Sequence, residues 1–253
     1  MKILVLGGAG MMGSGTIRDL LSDLSDNDHE VIASDYSSDA LDRLPDHPRL
    51  RKVVGDVGNA EELATLLVDC DLCVNGVPTF AGFQMPIFEA CLKAGKPYVD
   101  YGGMGVYTVK QKARHQEFQD QGVTAVIGLG ADPGLSNVIC RACADRLDEI
   151  DSINLYWTAT TKGPESPVLE PPYTPSTILA EYANPSQQFF DGELKEMPPR
   201  GGLETWELPE PFGSTTFMFS QHSEPLTVPF AEGIASKGIK EFTWRLALPR
   251  EQH

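Results

Sequence analysis

The chain has 253 residues, enough for one or two domains with a sizeable core. Its 36 acidic against 20 basic side chains give a formal charge of −16 at pH 7, which argues against a nucleic-acid backbone or an anionic membrane surface as partner. No apolar run approaches the length of a membrane span, and the short apolar opening is broken by glycines with no cleavage site behind it, so a cytoplasmic location is expected.

In chain order, Ile3 to Leu6 reads as a first strand and Gly7-Gly8-Ala9-Gly10-Met11-Met12-Gly13 as a glycine-rich turn. A helix is expected over Ser14 to Leu24, with Ile17, Leu20, Leu21 and Leu24 on one face. Strand, glycine turn and helix is the context in which Gly8-x-Gly10-x-x-Gly13 carries weight as a dinucleotide fingerprint. Gly8 is expected to allow the tight turn, Gly10 the close approach of a pyrophosphate, and Gly13 the packing of helix on strand. Unpaired N–H groups at the helix start, around Met11 and Met12, would face the phosphates.

A second strand, Val31 to Ser34, runs into Asp35, about twenty residues past the last glycine, where an acid accepts hydrogen bonds from the adenosine ribose. The same carboxylate opposes a 2′-phosphate by about 4 kcal/mol at ~4 Å and an intermediate dielectric. No Arg or Lys stands in Tyr36 to Asp42 to offset it. NAD is therefore expected in preference to NADP.

Further strands are expected at Arg51 to Val54, Leu72 to Asn75, Tyr98 to Tyr101 and Thr124 to Ile127. Helices are expected at Ala60 to Val68, Met85 to Ala94, Thr108 to Gln121 and Ser136 to Leu147, with Gly95-Lys96-Pro97 stopping one of them. The alternation predicts a doubly wound parallel sheet of Rossmann type over residues 1–148. In such a sheet ligands lie beyond the carboxyl ends of the strands. Asp56 and Val57 are accordingly placed beside the adenine, and Asn75, Val77 and Pro78 along the nicotinamide ribose. Asp132, in Ala131-Asp132-Pro133-Gly134, is either the cap of the next helix or a contact to cofactor or substrate.

The pattern then changes. Ser152 to Thr160 alternates like a half-buried strand, and a proline-dense stretch follows. Thr177 to Tyr182 is a short helix candidate. Gln187 to Phe190 and Leu194 to Met197 flank Asp191-Gly192 as a hairpin, and strands are expected at Thr215 to Ser220 and Ile239 to Ala247. This predicts a smaller α+β domain, residues 149–253, with a mostly antiparallel sheet. It would bind substrate and offer an edge for a two-fold homodimer. The pairs Cys70/Cys73 and Cys140/Cys143 have zinc-like spacing but sit in apolar surroundings, and buried free thiols are expected, with no metal.

With these motifs in place, the sequence resembles the saccharopine dehydrogenase-like family, above all its lysine 6-dehydrogenase branch. The resemblance is carried by Val5 to Gly13, Val99-Asp100-Tyr101-Gly102-Gly103, Ala131-Asp132-Pro133-Gly134-Leu135-Ser136-Asn137, Tyr173 to Pro185 and Thr243-Trp244-Arg245. It implies an NAD(P)-dependent oxidoreductase acting on the C–N bond of an amino acid by hydride transfer. Arg245 is the residue chosen to hold a substrate carboxylate, its guanidinium fork matching two oxygens. His222 is the proton carrier by type, its reference pKa being near neutrality, with Tyr173 and Lys162 as further candidates.

The chain departs from the lysine branch after the arginine, reading Arg245-Leu246-Ala247-Leu248-Pro249 where relatives continue with glycine and histidine, which leaves the amino acid open. Relatives usually run on past this point, so a short form or part of a longer protein is expected. Two other readings stand beside the dehydrogenase: an NAD-binding module without turnover, and a Rossmann oxidoreductase acting on a carbonyl or alcohol.

Overall fold

The opening apolar run forms β1 (Lys2–Leu6), and the strand's two-residue period sends its side chains to opposite faces. Leu4 and Leu6 enter one core with Leu66, Leu67, Phe88 and Tyr98. Ile3 and Val5 enter another with Ile17, Leu21, Val31 and Ala33. Burial on both sides is the condition under which strands read as continuous apolar runs, and it fixes β1 at the centre of its sheet. The computed structural model describes residues 1–22, 28–102, 105–159 and 174–248. They fall into two units, Met1–Gly130 and Ala131–His253.

The first unit alternates strands and helices. After β1 come α1 (Met11–Leu20), β2 (Glu30–Asp35), α2 (Ser38–Asp42), β3 (Leu50–Val54), α3 (Ala60–Val68) and β4 (Leu72–Asn75). Then follow α4 (Gln84–Ala94), β5 (Tyr98–Asp100), α5 (Gly105–Lys112), α6 (His115–Asp120) and β6 (Ala125–Val126). All pairings are parallel, in the order β3-β2-β1-β4-β5-β6. This is the expected Rossmann-type doubly wound sheet, its strand order reversing between β1 and β4. Gly95, at φ 64°, ends α4 as the sequence predicts, with Lys96 N–H returning to Cys91 O. The single helix expected over Thr108 to Gln121 is instead two, because Arg114 N–H turns back to Gln111 O and starts a new helix.

The second unit contains α7 (Leu135–Ala144), β7 (Ser152–Thr158), α8 (Pro175–Ala183), β8 (Ser186–Phe190) and β9 (Glu193–Met197). It continues with β10 (Glu204–Leu208), β11 (Gly213–Phe219), α9 (Glu232–Ala235) and β12 (Glu241–Ala247). Its core holds Cys140 and Ala144 of α7 with Ile150, Phe189, Ile234 and Phe242. This is why α7 falls in the second unit and the division comes at Gly130, earlier than the boundary near residue 149 read from the sequence. The sheet is mostly antiparallel, as expected, but β7 pairs parallel with β12 along its whole length. Strand β10 is mostly exposed, with only Trp206 and Leu208 apolar, and the sequence predicts no strand there; its pairing with β11 holds it in place.

β12 is the hub of this sheet. Glu241 and Phe242 pair with Phe190 and Phe189 of β8, while Arg245 and Leu246 pair with Phe219 and Met218 of β11. Between these pairings the two neighbours diverge, and the buried side chain of Gln188 bridges the fork. Its Oε1 accepts from Trp244 N–H at 2.8 Å and its Nε2 donates to Ser220 O at 3.2 Å. The chain leaves β11 at this fork and enters the Ser220–Glu224 loop. All five thiols are free; four are buried, but Cys143 lies on the exposed side of α7, contrary to the expectation for it. Among the described residues no helix is long and apolar enough to cross a membrane.

Candidate functional site

In the first unit the glycine turn is a backbone surface. The left-handed turn residue is Gly7, at φ 67°, rather than Gly8. Gly8 is needed for closeness: a Cβ there would lie 3.0 Å from Val5 O and 3.1 Å from Ala33 Cα. A Cβ on Gly13 would stand 2.2 Å from Gly7 O, so only glycine lets α1 seat on the turn. Gly10 begins α1 without any side-chain cap, and the first turn contains no acid. The leading amides of Met11, Met12 and Gly13 thus have the position and polarity of an anion site. Both methionine side chains are exposed.

Asp35 ends β2 beside this turn. Its Oδ2 accepts from Ala9 N–H at 3.3 Å and its Oδ1 from Ser37 N–H at 3.1 Å. One carboxylate therefore ties the β2 end to the glycine turn and keeps acceptor capacity for further donors. Asp56 is exposed and folds its own loop, accepting from Gly58 N–H at 2.8 Å, while Val57 packs on the core. Pro78 is exposed and Val77 half-buried.

Asn75 is placed differently from the expectation. Only 2% exposed, it accepts from Val77 N–H at 3.1 Å and donates to Tyr98 Oη at 3.0 Å and to Gln84 Oε1 at 3.3 Å. Its amide shapes the turn after β4 from inside and is already occupied there. Behind it lies Asp100, a buried carboxylate that accepts from four neutral donors. Oδ2 accepts from Gln84, Tyr98 and Gln111, and Oδ1 from Gly128 N–H at 2.8 Å. Sequence reasoning placed Asp100 at a strand end but missed this clamp on the Gly128 loop. A separate cavity of about 590 Å³ in this unit, bounded by Phe88, Gln111, Phe118 and Ile127, includes none of the glycine-turn residues.

The second unit assembles a polar group at the fork of its sheet. His222, 6% exposed, lies flat against Trp244, with ring centroids 3.9 Å apart and planes 1° from parallel. Its Nδ1 bonds Glu224 Oε2, and its Nε2 lies 4.0 Å from Asp132 Oδ2. Glu224 has no exposed surface, and its Oε1 accepts from Ser136 Oγ at 2.7 Å. Asp132 is not the helix cap: Gly134 holds that place, its N–H bound by Asn137 Oδ1 at 3.0 Å.

Burial opposes the charge on His222, but Glu224, Asp132 and Glu181 outweigh it and raise its pKa. Burial likewise works against ionised Glu224, yet His222 and Ser136 hold its pKa below the usual carboxylate range. Burial raises Asp132, reinforced by Glu224 and opposed by His222. Glu224, Ser136 and Trp244 were missed as site residues; the available signal was Glu224 two positions after His222.

Arg245 is not part of this group. Alternation on β12 puts Trp244 on one face and Arg245 on the other. There the guanidinium lies 4.5 Å from the Phe219 ring and 5.5 Å from that of Tyr156, its two cross-strand partners. Its Nε stands 3.3 Å from Glu204 Oε2, and Nη1 donates to Thr243 Oγ1. A substrate carboxylate would have to replace Glu204. Tyr173 and Lys162 lie outside the described residues.

The strand order, glycine turn and carboxylate define a Rossmann dinucleotide-binding domain. Residues 3–126 match the family model described as "Saccharopine dehydrogenase NADP binding domain". The chain is 26% identical over 175 residues to a carboxynorspermidine synthase of Vibrio alginolyticus, a match covering 63% of this chain and 41% of that protein. It is 24% identical over 212 residues to a carboxyaminopropylagmatine dehydrogenase of Synechocystis, covering 78% of this chain and 51% of that one. The chain thus spans about half or less of these relatives' length. The apo saccharopine dehydrogenase (L-Glu forming) of Saccharomyces cerevisiae has the same fold, with a TM-score of 0.74 at 14% identity over 99% of this chain and 56% of that one.

Proposed function

We propose that this chain works in an NAD(P)-dependent oxidoreductase that makes or breaks the C–N bond between an amino-acid carbon and an amine. The observation that carries this reading is the glycine cradle with Asp35, inside a domain matched by the saccharopine dehydrogenase family. The cradle fits a dinucleotide on its own terms, since Gly13 lets α1 seat directly on the bare glycine turn and that helix begins uncapped. Gly7, Gly8, Gly10 and the first amides of α1 would hold the pyrophosphate and Asp35 the adenosine ribose. When bound, the nicotinamide supplies hydride exchange with the substrate carbon.

NAD is the favoured form. Asp35 opposes a 2′-phosphate, and residues 36–42 supply no cation to neutralise one. The names of the two relatives both denote carboxylated amines, which supports a substrate carrying both a carboxylate and an amine. In the second unit, His222 with Asp132 is the proton-exchanging candidate; the chain's own part is to orient the amine and hold a proton at Nε2 or Oδ2.

The test is direct. Purified protein is titrated with NAD and NADP, then assayed for reduced nicotinamide with a panel of amino acids and N-carboxyalkyl amines. Tighter binding of NAD and turnover of at least one amine are expected. Absence of binding to both nucleotides at millimolar concentration overturns the reading.

A further inference from the structure

We propose that Glu224 is a positioning residue: it holds His222 so that Nε2–H points at Asp132, and this donor–acceptor pair receives the nitrogen of an uncharged amine. The amine part rests on the C–N reading above.

The geometry comes first. Glu224 is fully buried, and its two oxygens have separate tasks, one on Ser136 Oγ and one on His222 Nδ1. A carboxylate at Nδ1 fixes a proton there, which leaves Nε2 as the nitrogen that works. A second stitch runs parallel to the first, with Asn137 Nδ2 donating to Thr227 Oγ1 at 3.0 Å. Ser136 N–H also binds Ala131 O, beside Asp132. One framework therefore sets both the imidazole and the Asp132 carboxylate.

At 4.0 Å, Nε2 and Asp132 Oδ2 are too far apart for a direct hydrogen bond. The imidazole is buried, whereas the Asp132 side chain keeps 24% exposure, so the pair is reached from the Asp132 side. A neutral amine bearing one N–H and one lone pair matches this arrangement: the lone pair accepts from Nε2–H and the N–H donates to Oδ2. An ammonium group has no lone pair and would set its charge against the imidazolium.

The ionisable groups around His222 are Glu224, Asp132 and Glu181, and Cys140 lies near Glu224. The three carboxylates favour the imidazolium, as does the Trp244 face beneath it. A structural ion pair would need only Glu224. A second nitrogen standing 4.0 Å from a partly exposed carboxylate is what a purely structural role leaves unexplained.

The test compares wild type with Glu224→Gln and Glu224→Asp, reading the His222 ring protons by NMR and the pH profile of kcat/KM. Loss of Glu224 lowers the pH at which His222 deprotonates, so the alkaline limb moves down by about one pH unit, with partial recovery in Glu224→Asp. A His222 titration unchanged in Glu224→Gln, or a uniform loss of kcat/KM at every pH, overturns the positioning role. N,O-Dimethylhydroxylamine, a secondary amine that stays uncharged near neutral pH, should move the His222 resonance in wild type while the imidazolium persists, and leave it in place in Asp132→Ala. No movement in wild type overturns amine capture. If wild type turns over no amine, the C–N reading falls, while the two NMR arms still decide the pair.

Discussion

The two units build their functional surfaces from opposite materials. In the first unit the cradle is main chain, shaped by missing side chains at Gly7, Gly8 and Gly13 and read through a helix start, with Asp35 as its one ionisable group. Its parts lie within a few dozen residues. In the second unit the group is all side chain, and residues 132, 136, 222, 224 and 244 meet only because β12 forks between β8 and β11. A backbone site tolerates no added atom, whereas a side-chain site tolerates changes of shape but not of charge.

The sharpest way to break this contrast is at Gly13. Gly13→Ala sets a methyl group against Gly7 O, and the helix has to lift off the turn. A stability loss of about 2–3 kcal/mol and a drop of at least tenfold in nucleotide affinity are expected, by urea unfolding and calorimetric titration. Retained affinity would show that the cradle does not bind through its backbone.

Next in size is Arg245. Arg245→Ala leaves Glu204 without its cation and strips a guanidinium from between two aromatic rings. Because Glu204 is partly exposed, about 1–2 kcal/mol of lost stability is expected, with KM for the amine changing little. A large rise in KM with unchanged stability would instead return Arg245 to the substrate.

Asp35→Asn should weaken NAD about tenfold through lost charge-assisted hydrogen bonds, close to 1.4 kcal/mol, and narrow the gap to NADP. Equal effects on both nucleotides would remove Asp35 from the ribose.

The gentlest test is pH. His222 has a raised folded-state pKa, so its contribution to stability is complete below the unfolded value near 6.5 and fades as pH climbs through the folded value. Thermal unfolding should therefore show a decline in stability on the alkaline side of pH 6.5, and His222→Gln should flatten it. Glu224 acts at the other end: its depressed pKa contributes stability that is complete above the unfolded value near 4.5 and is lost as pH falls from there through the folded value.

Much of the first unit was legible because its signals are local. Glycine spacing, strand periodicity and an acid at a strand end depend on neighbours in sequence, and even the stop at Gly95 followed from three residues. The left-handed turn at Gly7 was not legible, since it depends on what approaches from elsewhere, with Gly76 O beside it; nor was the split of α5 from α6, where Arg114 N–H turns back to Gln111 O without a glycine or proline to mark it. In the second unit the hairpin about Asp191-Gly192 was readable, while the parallel pairing of β7 with β12 was not.

By itself, then, the sequence determined a nucleotide-type parallel sheet, its glycine turn and Asp35, because short-range backbone geometry governs all three. Tertiary structure alone decided that His222 gains Glu224 as partner, that Asn75 is spent inward, and that Arg245 stands on the face away from His222. Those outcomes turn on which strand lies beside which, and pairing across scores of residues leaves no periodic trace in the chain.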